Sequence, residues 1–456
     1  MTSLTQETHE IADPVGFLRE HRHDTAGLPR PELEALQLAA LRARFDELRE
    51  RVAVLTVLAD QQDIAAVETL DDAAPLLFQH TIYKSYPVKL LLQRRFADLT
   101  RWLQRLTTVD LSTVPVDGVT SIDAWLDALD AHTSLRVITS SGTSGTLSFL
   151  PKSTLELESW EMLIDPAGSA QREVVWPNFR RGSTAWGRMA EIFEQRIAGG
   201  PERFHPLHPG RMSADLQLFA ARLRAAQARG ERVNVDGSLL ARRSEFEAQQ
   251  REMRDAVPRF LGELDSEVRG KPVILLGLTN VTLQLAQAGI EAGIEGLFAP
   301  ESQVAVGGGG KGIVLPPDFE DIIARFAGVP AIDNVYGMSE VNAANRRCSQ
   351  GRYHIAPTTV LYMLDPDDGH VLPREGAYTA RAAFYDLLAR TYWGGFVSGD
   401  EVTVDWSPCA CGQTTPHLAP TIQRYSEKQG GDDKITCAAT EEAHQSALDF
   451  LTGELD

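Results

Sequence analysis

The sequence predicts an α/β protein whose helices cover a mostly parallel β-sheet. Short apolar runs rich in β-branched residues alternate with helix-like segments. VILLG at 273–277 is followed by an amphipathic stretch to about residue 292, QVAV at 303–306 by a glycine run, and a helical pattern at 319–326 by AIDNVYG at 331–337. Parallel strands are buried on both faces and need crossover connections, so this alternation is typical of a layered α/β domain.

Helical patterns dominate the first part of the chain. From a helix start near Pro31, apolar residues recur at three- and four-residue steps and form one stripe: Leu38, Leu41, Phe45, Leu48, Val52 and Leu55. Similar patterns cover 87–106 and 122–129, and the stretch 215–269 predicts long surface helices. Residues 1–30 are polar and aperiodic, so we expect a flexible leader there.

The composition excludes several classes of protein. A chain of 456 residues with 43% hydrophobic content is long enough to bury a large core. Its 44 basic and 63 acidic residues give a net charge of −19, which repels phosphate backbones and anionic lipid, so we expect neither a nucleic-acid nor a membrane partner. No run approaches the roughly 20 apolar residues of a membrane helix. The start of the chain has no basic, apolar leader, which predicts a cytoplasmic protein.

Two strand-like runs, LRVIT at 135–139 and LSFLP at 147–151, flank a loop of small polar residues. The loop comprises Ser140, Ser141, Gly142, Thr143, Ser144, Gly145 and Thr146. Consecutive backbone amides, hydroxyl groups and two glycines, which let a polyanion approach the main chain, suit phosphate binding. It is not a Walker A loop, because no Gly-Lys-Ser/Thr follows and the chain continues into a strand pattern. A mobile surface linker is the alternative.

Two later motifs carry acidic residues. The run Tyr336-Gly337-Met338-Ser339-Glu340 follows a predicted strand, at the carboxyl edge where ligands collect in parallel sheets. Glu340 suits a magnesium ion on a nucleotide phosphate, since Mg²⁺ prefers one or two carboxylates together with substrate oxygens. In SGDEV at 398–402, we expect Asp400 after a turn, accepting hydrogen bonds from ribose hydroxyls. These motifs together predict a nucleotide site.

Three of the four cysteines form a second constellation. Cys348 and His354 lie six residues apart around a glycine, and Cys409-Ala-Cys411-Gly412 adds two thiols on another loop. Three sulfurs and one nitrogen make a closed tetrahedral set suited to structural zinc, with no position left for a catalytic water. Two unrelated cysteine loops are the alternative.

The motifs SSGTSGT, VGGGGKG at 306–312, YGMSE and SGDEV resemble those of the adenylate-forming superfamily, which includes acyl-CoA synthetases and luciferases. The resemblance covers roughly residues 78–440. It is nearest to the phenylacetate-CoA ligase branch, some of whose members pair a cysteine and histidine with a later CxCG, and to the acyl-protein synthetases of bacterial bioluminescence. It implies that ATP and a carboxylate give acyl-AMP and pyrophosphate, with Mg²⁺ carried by ATP. Such chemistry needs positioning and charge neutralisation more than a nucleophilic side chain.

The resemblance also assigns roles to single residues. Thr143 and Ser144 would contact the β- and γ-phosphates. Gly308 and Gly309 would line the pocket for adenine and the acyl group, and Tyr336 would stack on the adenine or lie at its edge.

Lys311 has two open interpretations. It is either a cation near the acyl carboxylate or the α-phosphate, or a lysine that solvates a glycine turn.

The acyl acceptor is a further expectation. In acyl-protein synthetases a cysteine near the carboxyl terminus, after a hinge-region arginine, receives the acyl group as a thioester. Cys437 and Arg424 correspond to these residues here. Lys434 would favour the thiolate of Cys437 if both lie on one face. An inert buried thiol is the alternative.

The resemblance implies a truncated carboxyl-terminal lid. Superfamily members continue for roughly 100 residues beyond the hinge, whereas about 30 follow Arg424 here. Whether Lys434 replaces the lysine of the missing lid stays open. We therefore divide the chain into the leader (1–30), a helical amino-terminal part (31–134), an adenylation core (135–423) and a hinge remnant with a short tail (424–456).

The predicted function is activation of a carboxylic acid to acyl-AMP, followed by acyl transfer to a thiol. The thiol would belong to Cys437 or to a partner, either an acyl-acceptor protein or a reductase. One alternative is a ligase that joins the acyl group to CoA or an amine, with the lid supplied in trans. Another is a degenerate scaffold subunit that binds an adenylate. The sequence identifies neither an aryl nor an alkyl acid, and it leaves open whether the chain forms a homo-oligomer.

Overall fold

The computed structural model describes residues 11–79, 81–141, 146–160, 171–229, 243–308, 315–425 and 440–453. These residues form the predicted mixed α/β fold. The helices are α1 (Pro14–Glu20), α2 (Arg22–Thr25), α3 (Arg30–Leu48), α4 (Ala53–Gln61), α5 (Lys89–Leu92), α6 (Phe96–Gln104), α7 (Ile122–His132), α8 (Thr154–Glu158), α9 (Ala185–Ile192), α10 (Ala214–Arg229), α11 (Arg243–Glu267), α12 (Thr279–Glu291), α13 (Phe319–Ala327) and α14 (Glu441–Thr452). The strands are β1 (Phe78–Gln79), β2 (Ile138–Ser141), β3 (Leu147–Leu150), β4 (Glu173–Gly182), β5 (Phe204–Met212), β6 (Val273–Leu278), β7 (Gln303–Gly307), β8 (Asp333–Tyr336), β9 (Asn345–Arg346), β10 (Tyr353–His354), β11 (Thr359–Leu364), β12 (Ala377–Asp386), β13 (Gly395–Asp405) and β14 (His417–Arg424).

The first large sheet is the predicted parallel one. Its order is β5-β4-β6-β7-β8-β9, in which β5 to β8 pair in parallel and β9, at the edge, is antiparallel. Helices α11, α12 and α13 cover one face through an apolar cluster that includes Phe260, Leu285 and Phe326. The sheet confirms the strands predicted at 273–277 and 303–306, and α12 and α13 confirm the helices expected after 277 and at 319–326.

A second large sheet is antiparallel, which differs from the expected mostly parallel arrangement. Its order is β10-β14-β13-β12-β11, with β1 added in parallel beside β13. The links from β11 to β12, β12 to β13 and β13 to β14 are short and contain no helix, so they can join only antiparallel neighbours. Every residue of β11 is buried, because helices cover one face of this sheet and residues 336–355 cover the other.

The amino-terminal segment is more ordered than expected. The expectation of a flexible leader over residues 1–30 is wrong for residues 14–25, which form α1 and α2. The side chain of Asp13 caps α1, and Leu18 is fully buried against the core. The predicted apolar stripe is divided between two helices, because α3 ends at Leu48 and α4 begins at Ala53.

The last described helix, α14, packs on α4. Gln62 donates a hydrogen bond of 3.0 Å to the hydroxyl of Thr440, which caps α14. The guanidinium of Arg105 donates to the carbonyl oxygens of Phe450 and Gly453, and it lies 5.1 Å from the centroid of the Phe450 ring. The tail therefore belongs to the same packed body as the amino-terminal helices. Among the described residues, no helix is long and apolar enough to cross a membrane.

We predict that Arg105→Met loosens α14. The guanidinium holds the carboxyl end of α14 through charge-assisted hydrogen bonds and a ring contact, and losing about 1.5 kcal/mol corresponds to a roughly tenfold faster amide exchange. Hydrogen-exchange mass spectrometry of residues 443–452 measures this. Arg101→Met, which removes an exposed guanidinium paired with Asp98 on α6, is the matched control. Equal exchange rates in both variants would contradict the prediction.

Candidate active site

The site is built around Asp400 of β13, which contacts two other predicted residues. The hydroxyl of Tyr336, at the end of β8, donates to Oδ2 of Asp400 at 2.8 Å. Asp400 and Arg424 are cross-strand partners of β13 and β14, and Nε of Arg424 lies 3.5 Å from Oδ1 of Asp400. The structure therefore brings together the YGMSE motif, the SGDEV motif and the hinge arginine.

The sequence predicted that Asp400 follows a turn, and the structure does not show one there. Asp400 lies within the long strand β13 and is 8% exposed, with its backbone N–H donating to the hydroxyl of Ser398. The glycine in SGDEV suggested a turn; instead, residues 398–400 lie within β13 at a shift of register against β12, between the pairs of Val397 and Glu401, while Asp400 pairs with Arg424 of β14. Burial, followed by the charge of Asp400, raises the pKa of Tyr336 well above its usual value, so the phenol stays protonated and remains a donor.

Glu340 lies on the loop that follows β8, as predicted. The loop also carries exposed Gly337 and half-buried Met338 and Ser339. Burial raises the pKa of the Glu340 carboxyl; Lys152 and Arg424 oppose this rise, whereas Asp400 adds to it. The charges of Asp400 and Arg424 therefore act on the Glu340 carboxyl.

The small-residue loop lies at the tip of the hairpin formed by β2 and β3. Ser140 pairs with Ser148 and Ser141 with Leu147, and Thr146 is half-buried beside β3. The predicted strands on either side of the loop are thus confirmed. The central loop residues, Gly142, Thr143, Ser144 and Gly145, lie outside the described residues.

The glycine run begins where β7 ends. Gly308 has φ +62°, a conformation that favours glycine, and a Cβ at Gly307 would lie 2.6 Å from the carbonyl oxygen of Val335. The two glycines therefore permit the close approach of β7 to β8 and the turn that follows. Gly309 and Lys311 lie outside the described residues, as do Lys434 and Cys437.

Lys152 is a site residue that the sequence interpretation missed. It follows β3, is fully buried, and donates from Nζ to Oδ1 of Asn342 at 2.7 Å. Burial lowers the pKa of Lys152 to about 8, partly offset by the negative charges of Asp386, Glu156 and Glu340. The available signal was a lysine two positions after the apolar strand LSFL, behind Pro151, which is an unusual position for a charged residue.

The predicted zinc ligands converge. One ligand atom from each of Cys348, His354, Cys409 and Cys411 lies within 4.8 Å of the others. The Sγ atoms of Cys348 and Cys409 are 4.0 Å apart, and Sγ of Cys411 is 3.3 Å from Nε2 of His354. Tetrahedral bonds of about 2.3 Å correspond to ligand separations of about 3.8 Å, so the donor set fits a zinc ion.

Local structure prepares these side chains. Backbone hydrogen bonds close a turn after Cys348 and another after Cys409, and Gly351 and Gly412 have positive φ in them. Nδ1 of His354 lies 3.0 Å from the hydroxyl of Thr415, which leaves Nε2 directed at Cys411. Burial, followed by the nearby His417, lowers the pKa of His354 to about 4, so the imidazole is neutral, the form that binds metal.

Comparisons with known proteins agree with this architecture. No protein-family model and no curated protein sequence matches the chain. Solved structures do match. The open conformation of 2-hydroxyisobutyryl-CoA ligase in complex with 2-HIB-AMP and CoA has a TM-score of 0.53 and 12% identity, covering 88% of this chain and 71% of that one. The same ligase in the postadenylation state with R3-HIB-AMP has a TM-score of 0.51 and 14% identity, covering 87% and 68%.

These similarities define the fold class. The chain has the fold of this CoA ligase. At 12–14% identity the likeness shows the fold and does not assign the chain to a family.

Proposed function

We propose that the protein activates a carboxylic acid with ATP, forming an acyl-adenylate and releasing pyrophosphate. The observation that carries the proposal is the contact of Tyr336, Asp400 and Arg424, with Glu340 in the same electrostatic environment. These residues come from separate motifs and two different sheets, and a shared ligand explains why they meet. The fold likeness to a ligase solved with an acyl-AMP supports the same reaction class.

In this reaction a carboxylate oxygen of the acid attacks the α-phosphorus of ATP, and the bond to pyrophosphate breaks. Asp400 accepts hydrogen bonds from the ribose hydroxyls, and Tyr336 lies beside the adenine. Glu340 would hold Mg²⁺, and the ion would supply positive charge to the phosphates. The hairpin loop after β2 binds the phosphates, as its sequence predicts.

We expect Glu340→Gln to lower kcat for ATP–pyrophosphate exchange about 100-fold, since removing a group that stabilises transition-state charge typically costs this much. Asp400→Asn should mainly raise KM for ATP, by about tenfold, because it weakens a charge-assisted contact with the nucleotide. The assay uses a panel of aryl and alkyl acids with the purified chain.

Asp368→Asn, which removes an exposed acid in the link between β11 and β12, is the control and should leave exchange unchanged. Absence of exchange with every acid, in a protein shown to be folded, would overturn the proposed reaction.

The acyl acceptor in our proposal is a thiol, either Cys437 or the thiol of a partner protein or reductase. The fold likeness to a ligase solved with CoA favours a second candidate, in which CoA itself accepts the acyl group. An amine acceptor and an adenylate-binding scaffold without turnover stay as alternatives.

Incubation with ATP and acid, alone and with CoA or an amine added, followed by mass analysis of the protein and of the small-molecule products, separates these acceptors. Self-acylation predicts an adduct that hydroxylamine removes, because a thioester is labile to it, and that Cys437→Ser abolishes. Incubation without ATP is the control. An adduct that persists in Cys437→Ser, or the appearance of an acyl-CoA or amide product alone, would exclude Cys437 as the acceptor.

We also propose that Cys348, His354, Cys409 and Cys411 bind a structural zinc ion. The donor set and its separations support this assignment. With four protein ligands the ion has no open position, so its role is to hold the segment between the two sheets against the link from β13 to β14.

Metal analysis of the purified protein should give about one zinc per chain. Cys409→Ser should lose the metal and, for a loss of about 4 kcal/mol, lower the unfolding midpoint by about 4 °C in a chain of this length. Cys437→Ser, outside the proposed set, is the matched control and should keep its zinc. A wild-type protein purified without chelators and free of zinc would contradict the assignment.

The domain boundaries, the cytoplasmic location and the absence of nucleic-acid and membrane partners stay predictions, and homo-oligomerisation stays open.

A further inference from the structure

A buried polar network connects the β2–β3 hairpin to the Glu340 loop. Its central residue is Lys152, which is fully buried and donates from Nζ to Oδ1 of Asn342 at 2.7 Å. Nζ also lies 5.4 Å from the ring centroid of Trp160 and 5.8 Å from that of Tyr392. An isolated charge in such surroundings is costly, so its presence calls for a specific partner set.

The main chain of Lys152 is fixed to the hairpin. The carbonyl oxygen of Lys152 accepts a hydrogen bond of 2.7 Å from the N–H of Arg136, and Ser153 forms a β-bridge with Leu135. Residue 152 therefore extends the pairing of β2 and β3, whose tip carries the predicted phosphate loop. A shift of the hairpin would therefore move residue 152 with it.

The other end of the network holds the Glu340 loop. Asn342 donates from its backbone N–H and from Nδ2 to Oδ2 of Asp386, at 2.8 and 2.7 Å. The hydroxyl of Tyr392 donates to the carbonyl oxygen of Glu340 at 3.3 Å. The Asn342 amide thus connects a fixed acid on β12 to the lysine of the hairpin.

The network contains buried acids as well as the lysine. Asp386 is fully buried, and Glu156, at 1% exposure, accepts hydrogen bonds from the backbone N–H groups of Arg390 and Thr391. The negative charges of Asp386, Glu156 and Glu340 raise the pKa of Lys152 and so oppose the effect of its burial. Lysine is suited to this position because its ammonium offers several donors at the end of a long apolar stem.

We propose that Lys152 is a positioning residue that fixes the Glu340 loop relative to the β2–β3 hairpin. This inference rests on the proposed adenylation reaction for its functional meaning, since those two segments would bind magnesium and the phosphates. The Lys152 ammonium is buried and bonded to Asn342. It acts through Asn342, and a misplacement of about 1 Å in such a site can cost about 100-fold in rate.

The test uses Lys152→Met, which keeps the length and apolar stem of the side chain but removes its donors. Asn342→Ala removes the amide that accepts from Lys152. The matched control is Lys271→Met, because Lys271 is a partly exposed lysine that pairs with Glu173 and lies just before β6. All variants are first compared by circular dichroism and thermal unfolding. Asn342→Ala still provides the test if Lys152→Met does not fold.

The first readout is hydrogen exchange, which does not depend on the reaction. We expect at least tenfold faster exchange in peptides covering 337–342 for both network variants, because about 1.4 kcal/mol of lost protection corresponds to a factor of ten. Exchange rates should stay at their wild-type values in peptides of the parallel sheet of both network variants, and in peptides covering 337–342 of the Lys271→Met control. Unchanged protection of 337–342 in a folded network variant would overturn the inference, whatever the protein's activity.

The second readout is ATP–pyrophosphate exchange. We expect kcat to fall 10- to 100-fold in Lys152→Met with KM for ATP within about threefold, because the Tyr336 and Asp400 contacts remain. The double variant Lys152→Met/Asn342→Ala should have a kcat little lower than that of either single variant, since both substitutions remove the same contact. Wild-type kcat in folded Lys152→Met would overturn the inference, whereas no exchange in the wild type would overturn the proposed function and leave the hydrogen-exchange result to decide.

Discussion

The hydrogen bond between Tyr336 and Asp400 is the contact on which the site depends. It joins the carboxyl end of the parallel sheet to an inner strand of the antiparallel sheet, with Arg424 on the opposite side of the same carboxylate. A phenol that donates to a carboxylate makes a strong bond when both groups are partly shielded from water. The site therefore lies in the angle between two sheets, and its shape follows from how those sheets pack. An edge of the parallel sheet alone would not provide Asp400 or Arg424.

The chain that crosses between the sheets explains how this angle is maintained. After β8 it passes through the Glu340 loop, the short strands β9 and β10, and then enters β11. Asn342, near the start of this segment, is bound to Lys152 and Asp386. Cys348 and His354, further along it, approach the cysteines of the link between β13 and β14. The crossing segment is thus attached at two points by directional polar groups. Apolar contacts are not directional and would fix its position less tightly.

The sequence was informative where a local pattern determines the structure. The strand before Tyr336 and the helices over the parallel sheet follow from short apolar runs and helical periodicity. The cysteine and histidine positions followed from donor chemistry and spacing. Strand β11 of the antiparallel sheet was missed because it is buried on both faces and shows no alternation. Asp400 was expected after a turn because its neighbouring glycine suggested one, whereas that glycine lies at a shift of register inside β13 and Asp400 pairs with Arg424 of β14. The role of Lys152 could not have been assigned from the sequence, because it depends on burial against residues about 190 and 234 positions away.

The charge of Lys152 also affects how the site binds a polyanion. The protein carries a net charge of −19, and Glu340 and Asp400 add negative charge in the site. In the proposed reaction a free nucleotide would be repelled by both carboxylates, whereas a nucleotide carrying Mg²⁺ would be attracted by Glu340. Solvent screens the partly exposed Arg424, and the acids Asp386 and Glu156 offset the charge of the buried Lys152, so neither cation cancels the repulsion from Glu340 and Asp400. Under the proposed function, these two carboxylates therefore favour the metal-bound nucleotide over the free one.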